Sequence, residues 1–163
     1  MNRNLLLFIF IIFVCKDIYS QDPALQINII QRILPGPNPD VVYQITGNRF
    51  YIYHVKTWKA DKKVRIFAKR LSQIDLDSLT SKINISKINE LSNNYSGNSL
   101  DGINWTFKLK LEKFQKEVYL DNYYLPELDV ILTELNKRLP NKYREINFNY
   151  FNIKNEYLEK NKR

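Results

Sequence analysis

The sequence predicts an α+β domain: an antiparallel sheet with two helices packed on one face, in the order β-β-β-α-β-β-α-β. Three observations predict it. β-Branched and aromatic runs, separated by short polar turns, fill residues 41–71. Ile103, Trp105, Phe107, Leu109 and Leu111 alternate with Asn104, Thr106, Lys108, Lys110 and Glu112, the signature of a strand with one buried and one wet face. Leu125, Leu128, Leu132, Leu135 and Leu139 form one stripe at helical spacing. A strand and a helix with one apolar face each must bury those faces together. Trp105, Phe107, Leu109, Leu128, Leu132 and Leu135 are therefore expected to share a core.

Taken in order, residues 21–40 are an N-terminal segment with an edge strand over Leu25–Leu34 and a stiff connector, Pro35-Gly36-Pro37-Asn38-Pro39. The domain is expected to span 41–152. Val41–Thr46 and Arg49–Trp58 read as strands joined at Gly47-Asn48, and Val64–Leu71 completes a meander. Ser72 with Asp75 three places on marks a capped helix start, followed by Ile74, Leu76, Leu79 and Ile83, and Ile88–Leu91 is expected to add another turn of helix. Residues 92–102, rich in Asn, Ser and Gly, read as a loop. Lys116–Asp121 pairs back on the alternating strand. Pro126 suits a first helical turn, Glu134 and Arg138 are spaced for an ion pair, and Pro140 stops the helix. Ile146, Phe148 and Tyr150 alternate with asparagines as a last strand, and 153–163 is a charged tail.

Residues 1–20 read as a signal peptide: Arg3, an unbroken apolar run over Leu5–Cys15, then a polar stretch with the small residue Ser20. Eleven residues of helix reach roughly 16 Å, about half a bilayer core, so the run is too short for an anchor. The mature chain is expected to carry no transmembrane span and to be secreted or periplasmic. The alternative is a lipid anchor on Cys15, although Val14 suits that cut poorly.

Composition excludes much chemistry. Cleavage after Ser20 leaves no cysteine, hence no disulfide, thiol nucleophile or thiolate metal site. His54 is the only histidine, so a His-rich zinc site cannot form, and the four glycines are scattered singly with no phosphate-cradling loop. No cofactor, metal ligand or catalytic residue is assigned. Carboxylate-only chemistry survives, but Asp75 with Asp77 and Glu127 with Asp129 are i,i+2 pairs that a helix points apart. Asn94, Ser96, Asn98 and Asp101 offer oxygen atoms without the EF-hand spacing.

Charge is concentrated. The chain carries a net +8, and 49–70 holds eight basic residues against one acid, Asp61. Tyr51, Tyr53, Trp58 and Phe67 interleave with them. Such a stretch is either a polyanion surface or an ordinary solvated strand face. Lys59, Lys62, Lys63 and Arg65 are its candidate binding residues. Lys69 and Arg70 must face opposite ways, which dilutes a single patch. Tyr123 and Tyr124, in Asp121-Asn122-Tyr123-Tyr124 before a helix start, are candidate stacking residues; the competing reading is turn chemistry with tyrosines closing the core edge.

Asp101-Gly102-Ile103-Asn104-Trp105, and Leu120 to Leu128 around Tyr123-Tyr124-Leu125-Pro126, together with the leader, resemble small exported proteins of unknown function from the Bacteroidota. The likeness covers 100–140 and implies an envelope or extracellular setting without supplying catalytic residues. The expectation is an exported, non-enzymatic binding protein whose partner is a polyanion, an envelope glycan or a protein. The alternative is a carboxylate-based hydrolase of an envelope glycan.

Overall fold

A computed structural model describes residues 25–34, 40–56, 62–97, 102–144 and 153–161. The leader with Cys15, the proline run 35–39, Lys59 and the expected strand at 146–150 lie outside the described residues. The architecture is α+β. Seven strands form one sheet: β1 (Leu25–Leu34), β2 (Asp40–Thr46), β3 (Arg49–Lys56), β4 (Lys62–Arg70), β5 (Asn94–Ser96), β6 (Gly102–Leu111) and β7 (Phe114–Asp121). Their spatial order is β4-β3-β2-β1-β6-β7-β5. Every pairing is antiparallel except that of β5 with β7. The helices are α1 (Gln73–Thr80), α2 (Ile85–Glu90), α3 (Pro126–Lys137) and α4 (Ile153–Lys160), with a 3-10 turn at Asn141–Tyr143.

Four features differ from the sequence expectation. The segment Leu25–Leu34 is not an edge strand: it sits mid-sheet, paired to β2 on one side and β6 on the other. Its alternation, which suits an edge or a central strand alike, sends Leu25, Ile27 and Ile29 under the helices while Gln26 and Asn28 face out. The Asn-rich stretch holds β5, three residues whose backbone meets the edge of β7. Ile85–Glu90 forms a helix of its own, capped by Asn84. The charged tail starts as α4, whose Tyr157 ring lies 5.0 Å from that of Tyr124.

One face of the sheet carries the core. Across the strands run the rows Ile27–Ile45–Phe50 and Ile29–Tyr43–Ile52 on one side, and Phe107–Val118 and Trp105–Leu120 on the other. They join Leu79, Ile88, Leu128, Leu132 and Leu135 from the helices in a single buried cluster. The expected partners Trp105, Phe107, Leu109, Leu128, Leu132 and Leu135 all belong to it. Ser72 and Asp75 make the reciprocal capping box of α1, and Pro126 opens α3. Arg138, just past α3, joins it to α1: its guanidinium meets Glu134 Oε2 at 3.0 Å and donates to the Asp75 carbonyl at 2.9 Å. The core gathers on this face, and among the described residues no helix packs on the other.

Candidate functional site

The outer face is built by the same alternation. Arg49, Tyr51 and Tyr53 of β3 point away from the core because Phe50 and Ile52, between them, point into it. In β4, register with β3 sets Arg70 opposite Arg49, Ala68 opposite Tyr51, Arg65 opposite Tyr53 and Lys63 opposite Val55. A register shift at Ile52/Tyr53 lets Phe67 face inward and Arg65 face outward. Four cations, Arg49, Lys63, Arg65 and Arg70, thus surround two tyrosines at one edge of the sheet. The residues of β3 and β4 that share this face include no acid.

The rings organise the cations. Tyr51 and Tyr53 lie 5.8 Å apart between centroids. Lys63 Nζ sits 4.0 Å from the Tyr53 ring and donates to Gln44 Oε1 at 2.9 Å. Arg65 lies 6.0 Å from the Tyr51 ring, and Arg49 donates to Tyr51 Oη at 3.5 Å. Accepting that bond, Tyr51 holds the Arg49 guanidinium above its already high value, whereas partial burial lowers the Lys63 ammonium. The remaining outer face is more nearly balanced. Arg32 grips Asp40 with two bonds of 2.9 and 2.7 Å, and Lys108 meets Glu117 at 3.0 Å. The positive excess among the outward residues therefore lies on β3 and β4.

The structure brings together only some of the residues singled out above. Lys63 and Arg65 are in the cluster. Lys62 pairs with Lys56, one position off, which puts it on the opposite face of β4. Lys69 points inward, and its Nζ approaches the Arg138 carbonyl beyond α3 at 3.4 Å. Tyr123 and Tyr124 follow β7, separated from β4 by four strands, about 24 Å at the usual strand spacing. Tyr123 stacks on Tyr95 at 5.1 Å. Tyr124 is buried and donates to Asp129 Oδ2 at 3.0 Å, and burial drives its phenol far above the ordinary value. Arg49 and Arg70 complete the cluster, and Gln44 was not anticipated at all; pairing β2 with β3 is what brings it beside Lys63.

The acids are engaged elsewhere. Asp75 serves the helix cap, whose hydrogen bonds from Ser72 hold its carboxyl below the usual range. Asp77 accepts from Gln73 at 2.8 Å. Asp129 takes Tyr124 and, at 2.6 Å, Lys154 of α4. Ser96 bonds Asp121 at 3.3 Å, tying β5 to β7. Among the described residues, no helix is long and apolar enough to cross a membrane. Comparison of the chain with protein-family models and with curated proteins finds no match.

Proposed function

We propose that this chain is an exported binding protein, without a reaction of its own, that holds an anionic polymer against the outer face of β3 and β4. The observation that carries the reading is the Arg49, Lys63, Arg65 and Arg70 cluster around Tyr51 and Tyr53 on an open, acid-free strip. From Lys63 to Arg70 the strip runs about 20 Å along β4, long enough for several sugar or phosphate repeats. It is flat and elongated, which suits a chain better than an enclosed small molecule. Lys63 is already held by Tyr53 and Gln44, so less side-chain freedom is lost on binding. The tyrosines add ring surface on which a sugar can stack.

Heparin is a suitable probe. The parent should bind at low salt and weaken steeply as salt rises, because exposed charges are screened over roughly 8 Å at physiological ionic strength. An Arg49→Ser, Lys63→Ser, Arg65→Ser variant should bind roughly tenfold more weakly or worse. Lys62→Ser, on the opposite face, should bind nearly as the parent does. Equal binding by the parent and the triple variant would overturn the reading.

A further inference from the structure

The core face of the sheet is not filled throughout. Where β1, β2 and β3 run past the helices, a cleft of about 340 Å³ opens between the strands and the Asn141–Tyr143 turn. That volume is within the range of small-molecule sites, about 300–1,000 Å³. Its floor is the cross-strand row Gln31, Val41 and His54. Ile33, Ile52 and Ile66 supply apolar walls. Ile66 is the extra residue of the β4 register shift, and its carbonyl accepts from Tyr143 Oη at 2.9 Å, which fixes the turn as the far wall.

Three polar side chains of the cleft, Gln31, His54 and Lys142, can each present an N–H donor to it. Gln31 is 6% exposed, and its Oε1 accepts from Tyr43 Oη at 3.3 Å. Its amide nitrogen donates to no described residue. The imidazole of His54 likewise has no hydrogen-bond partner among the described residues, although a half-buried ring ordinarily has one. Lys142 Nζ rests 4.8 Å from the Tyr143 ring and meets no described acid. An amide, an imidazole and one ammonium thus line an apolar cleft whose lining, among the described residues, includes no carboxylate side chain. A single carboxylate entering the cleft could accept from all three groups together, exchanging their solvent for charge-assisted hydrogen bonds.

We propose that this cleft binds a small apolar monocarboxylate, its carboxylate held by His54, Gln31 and Lys142 and its alkyl or aryl body by Ile33, Ile52 and Ile66. One permanent positive charge matches one carboxylate, whereas a phosphate dianion would be left undercompensated. The site is on the opposite face from the basic strip and independent of it.

His54 is the only histidine, so its ring gives one unambiguous set of NMR signals. The full chain is titrated with octanoate, with 3-phenylpropionate and with 1-octanol. At least one acid should shift the His54 signals saturably, and octanol should bind roughly tenfold more weakly, the loss expected on removing a charge-assisted hydrogen bond. Lys142→Ala, at an exposed position, should weaken the acid by a similar factor. Ile66→Trp should fill the cleft and abolish the shift; Lys142→Ala keeps the test open if that variant melts early. The Arg49, Lys63, Arg65 triple variant should bind the acid as the parent does. His54 signals unmoved by either acid, equal binding of acid and alcohol, or full affinity in Lys142→Ala would overturn the proposal.

Discussion

Arg138→Met removes the buried cation at the α1–α3 joint. Arg138 and Glu134 have side chains only 6% exposed and meet at 3.0 Å. Removing one partner of a buried pair costs about 3–5 kcal/mol, because the other charge stays behind in a poor solvent. Here Glu134 keeps Lys137, whose Nζ lies 2.6 Å from Oε1 but whose side chain is 63% exposed. A pair so open to solvent contributes about 0.2–1 kcal/mol, so it softens the loss without cancelling it. The bond from Arg138 to the Asp75 carbonyl is lost as well. The expected cost is therefore about 3–4 kcal/mol, a large part of the stability of a domain this size. Urea denaturation followed by far-ultraviolet circular dichroism, with the slope unchanged, measures it. Glu134→Leu combined with Arg138→Met leaves no stranded charge and should recover most of the loss. A single-variant cost below about 0.5 kcal/mol would refute the reasoning, since that is the size of a surface substitution. So would a double variant less stable than Arg138→Met alone.

Three further outcomes are expected. Leu132→Ala, at a fully buried position of α3, should cost about 2–5 kcal/mol by the same melts, and a loss under half a kilocalorie would remove it from the core. Gly102→Ala should destabilise by about 1–3 kcal/mol: at φ +156 its new Cβ would fall 1.6 Å from Asn122 Oδ1, the acceptor of the Ile103 N–H at 2.8 Å, so a buried donor loses its partner. Stability should also fall on acidification. Glu134 is held below the ordinary carboxylate range chiefly by its bond from Lys137, and Asp75 by its bonds from Ser72. Lowered folded-state values mean that their stabilisation is present above the unfolded values, near pH 4, and is lost as pH drops through the folded ones. Chemical melts from about pH 5 downward should show the loss, and Glu134→Gln with Asp75→Asn should flatten it.

Local chemistry was legible and long-range placement was not. The alternation of β6, the leucine stripe of α3, the Ser72–Asp75 cap and the Glu134–Arg138 spacing each depend on neighbours within a few residues, and each is found where the sequence puts it. The position of β1 depends on β6, more than seventy residues on, and nothing in Leu25–Leu34 itself distinguishes a central strand from an edge strand. β5 is three residues long and bonds through its backbone to β7, so its Asn and Ser content reads as loop. At the basic strip, composition revealed the excess charge of 49–70. The register shift at Ile52/Tyr53 is what puts Lys63 and Arg65 on the face of Arg49 and Arg70, and plain alternation sets Lys62 on the other. Tyr123 and Tyr124 looked the same from sequence whether they faced solvent or the core edge; Asp129, Tyr95 and Tyr157 are what hold them inward.

The most direct measurement of the central claim is residue-resolved chemical-shift mapping of a heparin oligosaccharide on the isotope-labelled chain. The largest changes should fall on Arg49, Tyr51, Tyr53, Lys63, Arg65 and Arg70 and fade with added salt. Lys108 and Glu117, paired with each other on the same face, should move little. Changes centred on β6 and β7, or spread evenly over all lysines, would contradict the assignment of the anion site to the β3–β4 edge.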